Sequence, residues 1–159
     1  MLDIALLAVC APDVAPLTMA AIVKHESAFN PYAIGINPPN KRLAKQPTSK
    51  AEAVRIANDL IARKIDFDAG LGQINYRNWH WLGINSESVF HQCTNLKSAQ
   101  KVLADCYTRS YKANQNQRAA LLQAFSCYNT GNFTRGFNNG YVDKVLKSAG
   151  LDPRKINRQ

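Results

Sequence analysis

Residues 24–31 of the chain read KHESAFNP and place a glutamate, Glu26, at the end of an apolar helical pattern. The helix is predicted to begin at Pro16, since proline suits a first helical turn, and to stop at the asparagine–proline pair near the end of this stretch. Its apolar residues recur at helical spacing, so Glu26 shares their face of the helix. These residues are Met19, Ile22 and Val23. The stretch therefore predicts a carboxyl group held against the core at the point where the chain turns away.

The position of Glu26 predicts a carboxyl group that retains its proton near neutral pH. The negative end of the helix dipole and partial burial both disfavour the charged form and raise the pKa. A protonated glutamate is what a general acid needs to donate a proton to a glycosidic oxygen. The helical pattern by itself favours a simpler alternative, in which Glu26 pairs with a lysine at the rim of the fold.

Length and charge limit the classes of protein to consider. The chain has 159 residues, which suits a single domain, and residues 150–159 are expected to form a tail. Its net charge of +9 attracts anionic polymers such as nucleic acid, anionic lipid and the bacterial cell wall. The basic residues are scattered, so specific recognition of nucleic acid is not expected. No apolar run approaches the ~20 residues that span a bilayer, so no integral membrane segment is expected.

The beginning of the chain, MLDIALLAVCAP, is apolar but has no basic segment before its apolar run. It is therefore a poor export signal as written. An ordinary first helix explains the same residues better.

Four cysteines lack CxxC spacing and clustered histidines, which argues against structural zinc and is compatible with two disulfides. A helix over about residues 96–110 would hold Cys93 and Cys106 beyond disulfide reach, because a helix rises ~1.5 Å per residue. Each of them is then expected to pair with Cys10 or Cys127. Four buried free thiols are the alternative. The histidines show no metal-binding spacing, and no metal or cofactor is expected.

The remaining pattern predicts a mainly helical α+β domain of about five or six helices with a small β element. Residues 35–46 are rich in Pro, Asn and Lys and predict an exposed excursion, with a short hairpin as one option. Residues 49–52 have the form of a capping box at a helix start. Residues 66–75, DFDAGLGQIN, predict a short extended segment and a turn. Thr94 is predicted to cap a later helix, and residues 141–149 to form the last one.

Three blocks of the sequence resemble the signature of soluble lytic transglycosylases with a goose-lysozyme-like fold. They are ESAFNP at residues 26–31, GLGQIN at residues 70–75 and CYNTG at residues 127–131. The likeness extends over about residues 10–145 to the VirB-type transglycosylases of type IV secretion and conjugation systems. The chain departs from the family pattern at Cys127, where alanine is usual, and at Gly72, where methionine is common. The resemblance implies a lysozyme-like helical domain with a small β element and a central substrate cleft.

The resemblance also implies a reaction, in which Glu26 is the single catalytic acid and base. Glu26 would protonate the oxygen between N-acetylmuramic acid (MurNAc) and N-acetylglucosamine (GlcNAc). It would then accept the proton of the muramyl 6-hydroxyl, which closes a 1,6-anhydro ring without water. The substrate-binding residues implied are Ser27, Gln73, Asn75, Tyr128 and Asn129. Tyr128 with Asn129 is further expected to hydrogen-bond toward Glu26, although core packing also explains Tyr128.

The partners implied by the resemblance are peptidoglycan glycan strands and components of a type IV secretion or conjugation apparatus. The enzyme would open the cell wall locally for that apparatus. Such a role belongs to the periplasm of a bacterial cell envelope, and the poor export signal leaves the export route unexplained.

Two alternatives to a transglycosylase remain. Asp68 opens a DxGxxQIN block that also resembles the segment supplying the second carboxylate of hen-type lysozymes. Carboxyl groups about 5 to 5.5 Å apart would permit a retaining hydrolysis by Glu26 and Asp68, although Asp68 is also explained as the cap of a turn. The other alternative is a module that binds the cell wall or DNA through an inactive lysozyme-like cleft.

Overall fold

The structure is a computed structural model that describes residues 2–152. Within this range the chain is mainly helical and carries one small sheet, as predicted for a lysozyme-like α+β fold. The α-helices are α1 (Ile4–Cys10), α2 (Pro16–Ser27), α3 (Lys50–Ala62), α4 (Trp79–Leu82), α5 (Gln92–Asn114), α6 (Gln117–Thr130), α7 (Arg135–Asn138) and α8 (Tyr141–Ser148). The strands are β1 (Ile34–Ile36), β2 (Phe67–Ala69) and β3 (Ile74–Asn75), and a 3-10 turn (Tyr76–Asn78) precedes α4. Most of the expected tail, from residue 153 on, lies outside the described residues.

Helix α2 begins and ends close to where the sequence predicts. Pro16 occupies its first turn, and the last helical residue is Ser27. Ala28 and Phe29 then adopt left-handed backbone angles, with φ of 50° and 65°. These two residues reverse the chain before Pro31 is reached, so the helix stops slightly earlier than the proline requires. Glu26 consequently lies in the last helical turn.

The predicted capping box at the start of α3 is confirmed in part. The Ser49 hydroxyl accepts a hydrogen bond from the Glu52 amide at 3.2 Å. The Glu52 carboxylate accepts from the amide of Thr48 at 3.0 Å, one residue earlier than the reciprocal bond of a standard box. Both bonds satisfy amides that have no partner inside the helix.

The sheet is antiparallel with strand order β1-β2-β3. The extended segment predicted within residues 66–75 is confirmed. The hairpin option within residues 35–46 is wrong, because β1 pairs with the distant β2. The loop after β1 contains prolines, which lack a backbone N–H. The side chain of Gln46, rather than a second strand, bonds the backbone of β1. Its amide group bonds the backbone N–H and C=O of Ile34 at 2.8 and 3.0 Å.

Helix α5 starts earlier than predicted. His91 stands at its N-cap position, and Thr94 lies inside the first turn. The disulfide Cys10–Cys93 ties α1 to this first turn, and Cys106–Cys127 ties α5 to α6. The prediction that Cys93 and Cys106 belong to two different disulfides is confirmed, and the alternative of four free thiols is wrong.

The buried residues form two cores, one around the sheet and one around α6 and α8. Helix α2 contributes Met19 and Val23 to the first core and Ile22 to the second. Helix α5 likewise contributes Leu96 to the first and Leu103 to the second. Glu26 therefore emerges from a helix that runs between the two cores. Across residues 2–152, none of the helices combines the length and apolar character needed to cross a membrane.

Candidate active site

Glu26 lies where two surface cavities meet. The larger has a volume of about 720 Å³ and is bounded by the sheet, α5 and α6. The smaller has about 540 Å³ and is bounded by the end of α2, by β1 and by the loop after β1. Glu26, Asn37 and Gln73 line both cavities. Together the cavities form one groove with Glu26 near its middle.

The carboxyl group of Glu26 is partly buried and forms no ion pair with a described cation. Its Oε1 atom is buried and makes no regular hydrogen bond. The pKa of Glu26 is raised from 4.5 to about 8, chiefly by burial and to a smaller extent by the negative charge of Asp68, against the opposing effect of the Tyr141 hydroxyl. The predicted retention of the proton is thus accounted for mainly by desolvation. The alternative of a lysine ion pair is wrong.

Tyr141, the first residue of α8, approaches Glu26 from the second core. Its hydroxyl is buried and close enough to influence the pKa of Glu26. Neither the hydroxyl nor Oε1 of Glu26 makes a bond of regular geometry, but the pair interacts as a hydrogen bond in its effect on both pKa values. Burial, followed by the negative charge of Glu26, holds the pKa of Tyr141 well above its ordinary value. No local sequence pattern predicts this contact, because residues 26 and 141 belong to helices that are distant along the chain.

Tyr128 lines the larger cavity, and its hydroxyl bonds a backbone carbonyl rather than Glu26. Its hydroxyl donates to the carbonyl of Gly72 at 2.7 Å, and the expected bond toward Glu26 is absent. Burial is the main reason that the pKa of Tyr128 is well above its ordinary value, and the charges of Glu26 and Asp68 add to the effect. A side chain at position 72 would begin 2.7 Å from this hydroxyl, so the glycine there permits the contact.

Gln73 borders the whole groove and is held by its amide nitrogen. Nε2 donates to the carbonyls of Ala33 and Gly70, both at 3.0 Å. The backbone of Gln73 has a φ of 50°, and its Oε1 atom would lie 2.6 Å from any Cβ at position 35, which is occupied by Gly35. Within the described residues Oε1 accepts no hydrogen bond. It remains available to a ligand in the groove.

Asp68 lies in β2 and lines the larger cavity. It accepts hydrogen bonds from the side-chain amides of Asn75, at 2.8 Å, and Asn37, at 3.2 Å. Both amides also donate to Asp66, at 3.1 and 2.9 Å. Burial raises the pKa of Asp68 and Asp66 adds to this, whereas the two amides and Arg77 lower it. The interpretation of Asp68 as a turn cap is wrong, because its partners are side chains.

The other predicted site residues divide between the two cavities. Asn75 and Asn129 line the larger one. The side chain of Asn75 donates hydrogen bonds to both aspartates, Asp66 and Asp68, and accepts from Arg77. Asn129 accepts a hydrogen bond from Asn139 at 2.8 Å. Ser27 lines the smaller cavity, and its hydroxyl donates to the carbonyl of Val23 at 3.1 Å.

Trp81 is a groove residue that the sequence analysis did not assign. It lines the larger cavity with 51% of its surface exposed. Its indole N–H donates to Asn78 at 3.0 Å, which fixes the ring. Trp79 is buried only two residues earlier. The short α4 contains too few residues for periodicity to separate the buried from the exposed tryptophan.

The geometry defines a lysozyme-like α+β domain with a partly buried carboxyl group in the middle of a groove. Residues 5–149 match the family described as Transglycosylase SLT domain. The chain therefore belongs to this family, which confirms the resemblance expected from the three sequence blocks.

Curated relatives narrow the similarity within the family. The chain is 45% identical over 153 residues to "Type IV secretion system protein virB1" of Brucella abortus biovar 1, covering 92% of this chain and 63% of the relative. It is 41% identical over 140 residues to "Protein virB1" of Agrobacterium fabrum, covering 88% of this chain and 56% of the relative. The chain thus spans about three fifths of the length of these proteins. Among solved structures there is no significant match.

Proposed function

We propose that this domain is a lytic transglycosylase that cleaves the β-1,4 bond between MurNAc and GlcNAc in peptidoglycan. The observation that carries the proposal is the partly buried carboxyl group of Glu26, whose pKa of about 8 keeps it protonated at neutral pH in the middle of the groove. A general acid needs this protonation state and access to its substrate. Membership of the SLT family supports the reaction class.

In the proposed mechanism Glu26 acts first as the acid and then as the base, and each step transfers one proton. The protonated carboxyl donates to the glycosidic oxygen as the bond from that oxygen to the muramyl anomeric carbon breaks. The resulting carboxylate accepts the proton of the muramyl 6-hydroxyl, whose oxygen attacks the anomeric carbon. The products are a free GlcNAc 4-hydroxyl and a 1,6-anhydroMurNAc end, and Glu26 is protonated again. One carboxyl group suffices, and water is not consumed.

Asp68 takes an electrostatic part in this mechanism. Its negative charge raises the pKa of Glu26 and favours the positive charge that develops on the sugar ring. Its two oxygens are held by the amides of Asn75 and Asn37, which oppose nucleophilic attack by Asp68. The presence of Asp68 in the same cavity as Glu26 supports a muramidase that uses both carboxyl groups as the second candidate.

The substrate contacts follow from the groups that remain free in the groove. Gln73 offers its Oε1 atom as an acceptor to sugar hydroxyl or amide groups on either side of Glu26. Asn129 and Asn75 border the sugar path in the larger cavity, and Trp81 provides a flat apolar surface there for a pyranose ring. Tyr128 supports the turn that carries Gln73, and Ser27 lines the smaller cavity beside Glu26.

The cellular role proposed is local opening of the cell wall for a type IV secretion or conjugation apparatus, in the periplasm. The printed name of the Brucella relative supports the association with type IV secretion. The net charge of +9 would favour the approach to an anionic wall. A non-catalytic module that binds the wall or DNA is the competing reading from another class.

Digestion of purified sacculi with mass spectrometry of the products tests the proposal. The wild-type chain should release fragments with 1,6-anhydroMurNAc ends, and Glu26→Gln should lower the rate at least ~10³-fold while binding persists. Glu87→Gln is the matched control, because Glu87 is an exposed glutamate outside the groove. Reducing muramyl ends would instead support the muramidase. Binding without cleavage by the wild-type chain would support the inactive module.

A further inference from the structure

The two cavities that meet at Glu26 differ in charge. The smaller is lined by the cations Lys24 and Arg42, neither of which forms an ion pair within residues 2–152. Glu26 is its only lining carboxyl group, and this group is protonated at neutral pH. His25 also lines the cavity and is hydrogen-bonded to Ser148 at 2.7 Å. At neutral pH this half of the groove is therefore positively charged.

The larger cavity shows the opposite balance. Besides Glu26, its lining contains three aspartates and two arginines, namely Asp66, Asp68, Asp105, Arg77 and Arg109. Arg109 is paired with Asp105 at 3.0 Å. Arg77 is left to offset two clustered aspartates. An anionic group would consequently be repelled from this side of Glu26 and attracted to the other.

The cationic side is held in place by the surrounding fold. Arg42 belongs to the loop after β1, and Gln46 fastens that loop to both backbone groups of Ile34. Lys24 projects from α2 within one turn of Glu26. The two cations thus flank a cavity that opens beside the carboxyl group, on elements whose backbone is fixed.

This inference rests on the proposed function, because it concerns which part of a peptidoglycan strand enters each cavity. The sugars of the strand are neutral, whereas the short peptides attached to its muramyl units carry free carboxylates. We propose that the smaller cavity is a binding site for the carboxylate-bearing peptide of a muramyl unit. The enzyme would accordingly prefer peptide-bearing glycan to glycan stripped of its peptides.

The contribution of each cation should be moderate, since both side chains are exposed and screened by salt. Two such contacts correspond to a preference of about 2- to 30-fold in affinity for the peptide-bearing strand. This preference, expressed as the ratio of affinities for the two substrates, isolates the peptide contact from effects on sugar binding.

The test measures binding to two preparations of the same soluble glycan strands, one with its peptides intact but not cross-linked and one stripped of peptides by a muramyl-alanine amidase. All chains carry Glu26→Gln so that the glycan is not cut, and the affinity for each preparation is measured by fluorescence anisotropy of labelled strands. The Lys24→Gln/Arg42→Gln pair should lower the intact-to-stripped affinity ratio about 2- to 30-fold. Arg42→Lys, which retains the charge, should keep most of the ratio in a chain that still has Lys24.

The matched control is the Lys101→Gln/Lys112→Gln pair, which removes the same charge from exposed residues that line neither cavity. It should leave the ratio unchanged. A ratio that is near one in the parent chain, or is unaffected by the loss of Lys24 and Arg42, would overturn the peptide site. Cleavage by the chain with Glu26 intact is measured in parallel. If this chain does not cleave the glycan, the proposed function is overturned. The affinity ratio still tests the peptide site separately.

Discussion

The hydroxyl of Tyr128 donates a 2.7 Å hydrogen bond to the carbonyl of Gly72, and this bond joins α6 to the turn between β2 and β3. The same turn is held from α5 by the buried side chain of Asn95, which accepts from the Gly72 amide at 2.7 Å and donates to the carbonyl of Ala69 at 3.0 Å. The turn that carries Gln73 is therefore fastened from two helices. Removing either fastening should disturb the groove without touching the carboxyl group of Glu26.

Tyr128→Phe should lower the free energy of unfolding by about 1 to 3 kcal/mol, because it leaves a carbonyl without its partner. Cleavage should slow as Gln73 loses its support. Urea unfolding and the rate of sacculus digestion measure the two effects. Tyr107→Phe is the control, since the hydroxyl of this half-buried tyrosine makes no hydrogen bond among residues 2–152. Equal losses in both variants would contradict the role assigned to the bond.

The activity should decline as the pH rises through about 8, because Glu26 must be protonated to act as the acid and its pKa is raised to about 8. A pH profile of the initial rate on soluble glycan fragments measures this limb. Asp68→Asn removes a charge that raises the pKa of Glu26, so the limb should move to lower pH. If the pH profile of Asp68→Asn matches that of the wild-type chain, the decline in rate reports the titration of a group other than Glu26.

The raised pKa of Glu26 also predicts how stability depends on pH. Between pH 4.5 and about 8 the folded chain binds more protons at this carboxyl than the unfolded chain, so this contribution to stability falls as pH rises. This loss amounts to about 3 to 4 kcal/mol between pH 5 and pH 8 in the wild-type chain, and it should be absent from Glu26→Gln. Urea unfolding at both pH values measures the difference. An unchanged difference would mean that the unfolded and folded pKa values are alike.

Asp68→Asn also separates the two reactions that remain open. As an electrostatic group, Asp68 should cost about 10- to 100-fold in rate when neutralised, and anhydro ends should persist among the products. As a nucleophile it would be indispensable, and cleavage would cease. Asp59→Asn is the control, because Asp59 forms an exposed ion pair with Arg63 away from the groove. Mass spectrometry of the products distinguishes the outcomes.

The two disulfides should contribute unequally to stability. Cys106–Cys127 closes a separation of 21 residues and Cys10–Cys93 one of 83 residues. By the entropy of loop closure, these correspond to about 3 and about 4 to 5 kcal/mol. Paired Cys→Ser substitutions with urea unfolding measure each contribution. A larger loss from the shorter loop would indicate that packing beside Tyr128, rather than chain entropy, determines the effect.

Trp81→Ala should weaken glycan binding about 2- to 10-fold and leave the chemical step largely intact, because the ring is proposed to stack on a sugar. Separate measurement of kcat and KM on glycan fragments checks this. Tryptophan fluorescence should change on binding through Trp81, whereas the buried Trp79 should not contribute. A fall in kcat alone would place Trp81 outside the substrate path.

The sequence predicted the features that depend on local pattern. Helix α2, the position of Glu26 on its apolar face, the extended segment before Gln73 and the α3 cap all follow from spacing and capping residues. The absence of a Cys93–Cys106 disulfide followed from helix length, because α5 separates the two cysteines, whereas the choice of Cys10 as the partner of Cys93 did not.

The features that were missed depend on contacts between distant segments. Tyr141 interacts with Glu26 although the two residues lie 115 positions apart in the sequence. Strand β1 pairs with β2, which follows α3 in the chain. The sequence is compatible with a hydrogen bond from the Tyr128 hydroxyl to either Glu26 or a backbone carbonyl. In the structure the hydroxyl bonds the carbonyl of Gly72. Such choices are made by burial and packing, which periodicity does not encode.

The placement of α2 and α5 in both cores has a mechanical consequence. These helices act as a common spine, and the sheet side and the α8 side of the groove are attached to it separately. A disturbance confined to one core is therefore not expected to release Glu26, because the other core still holds the helix that carries it.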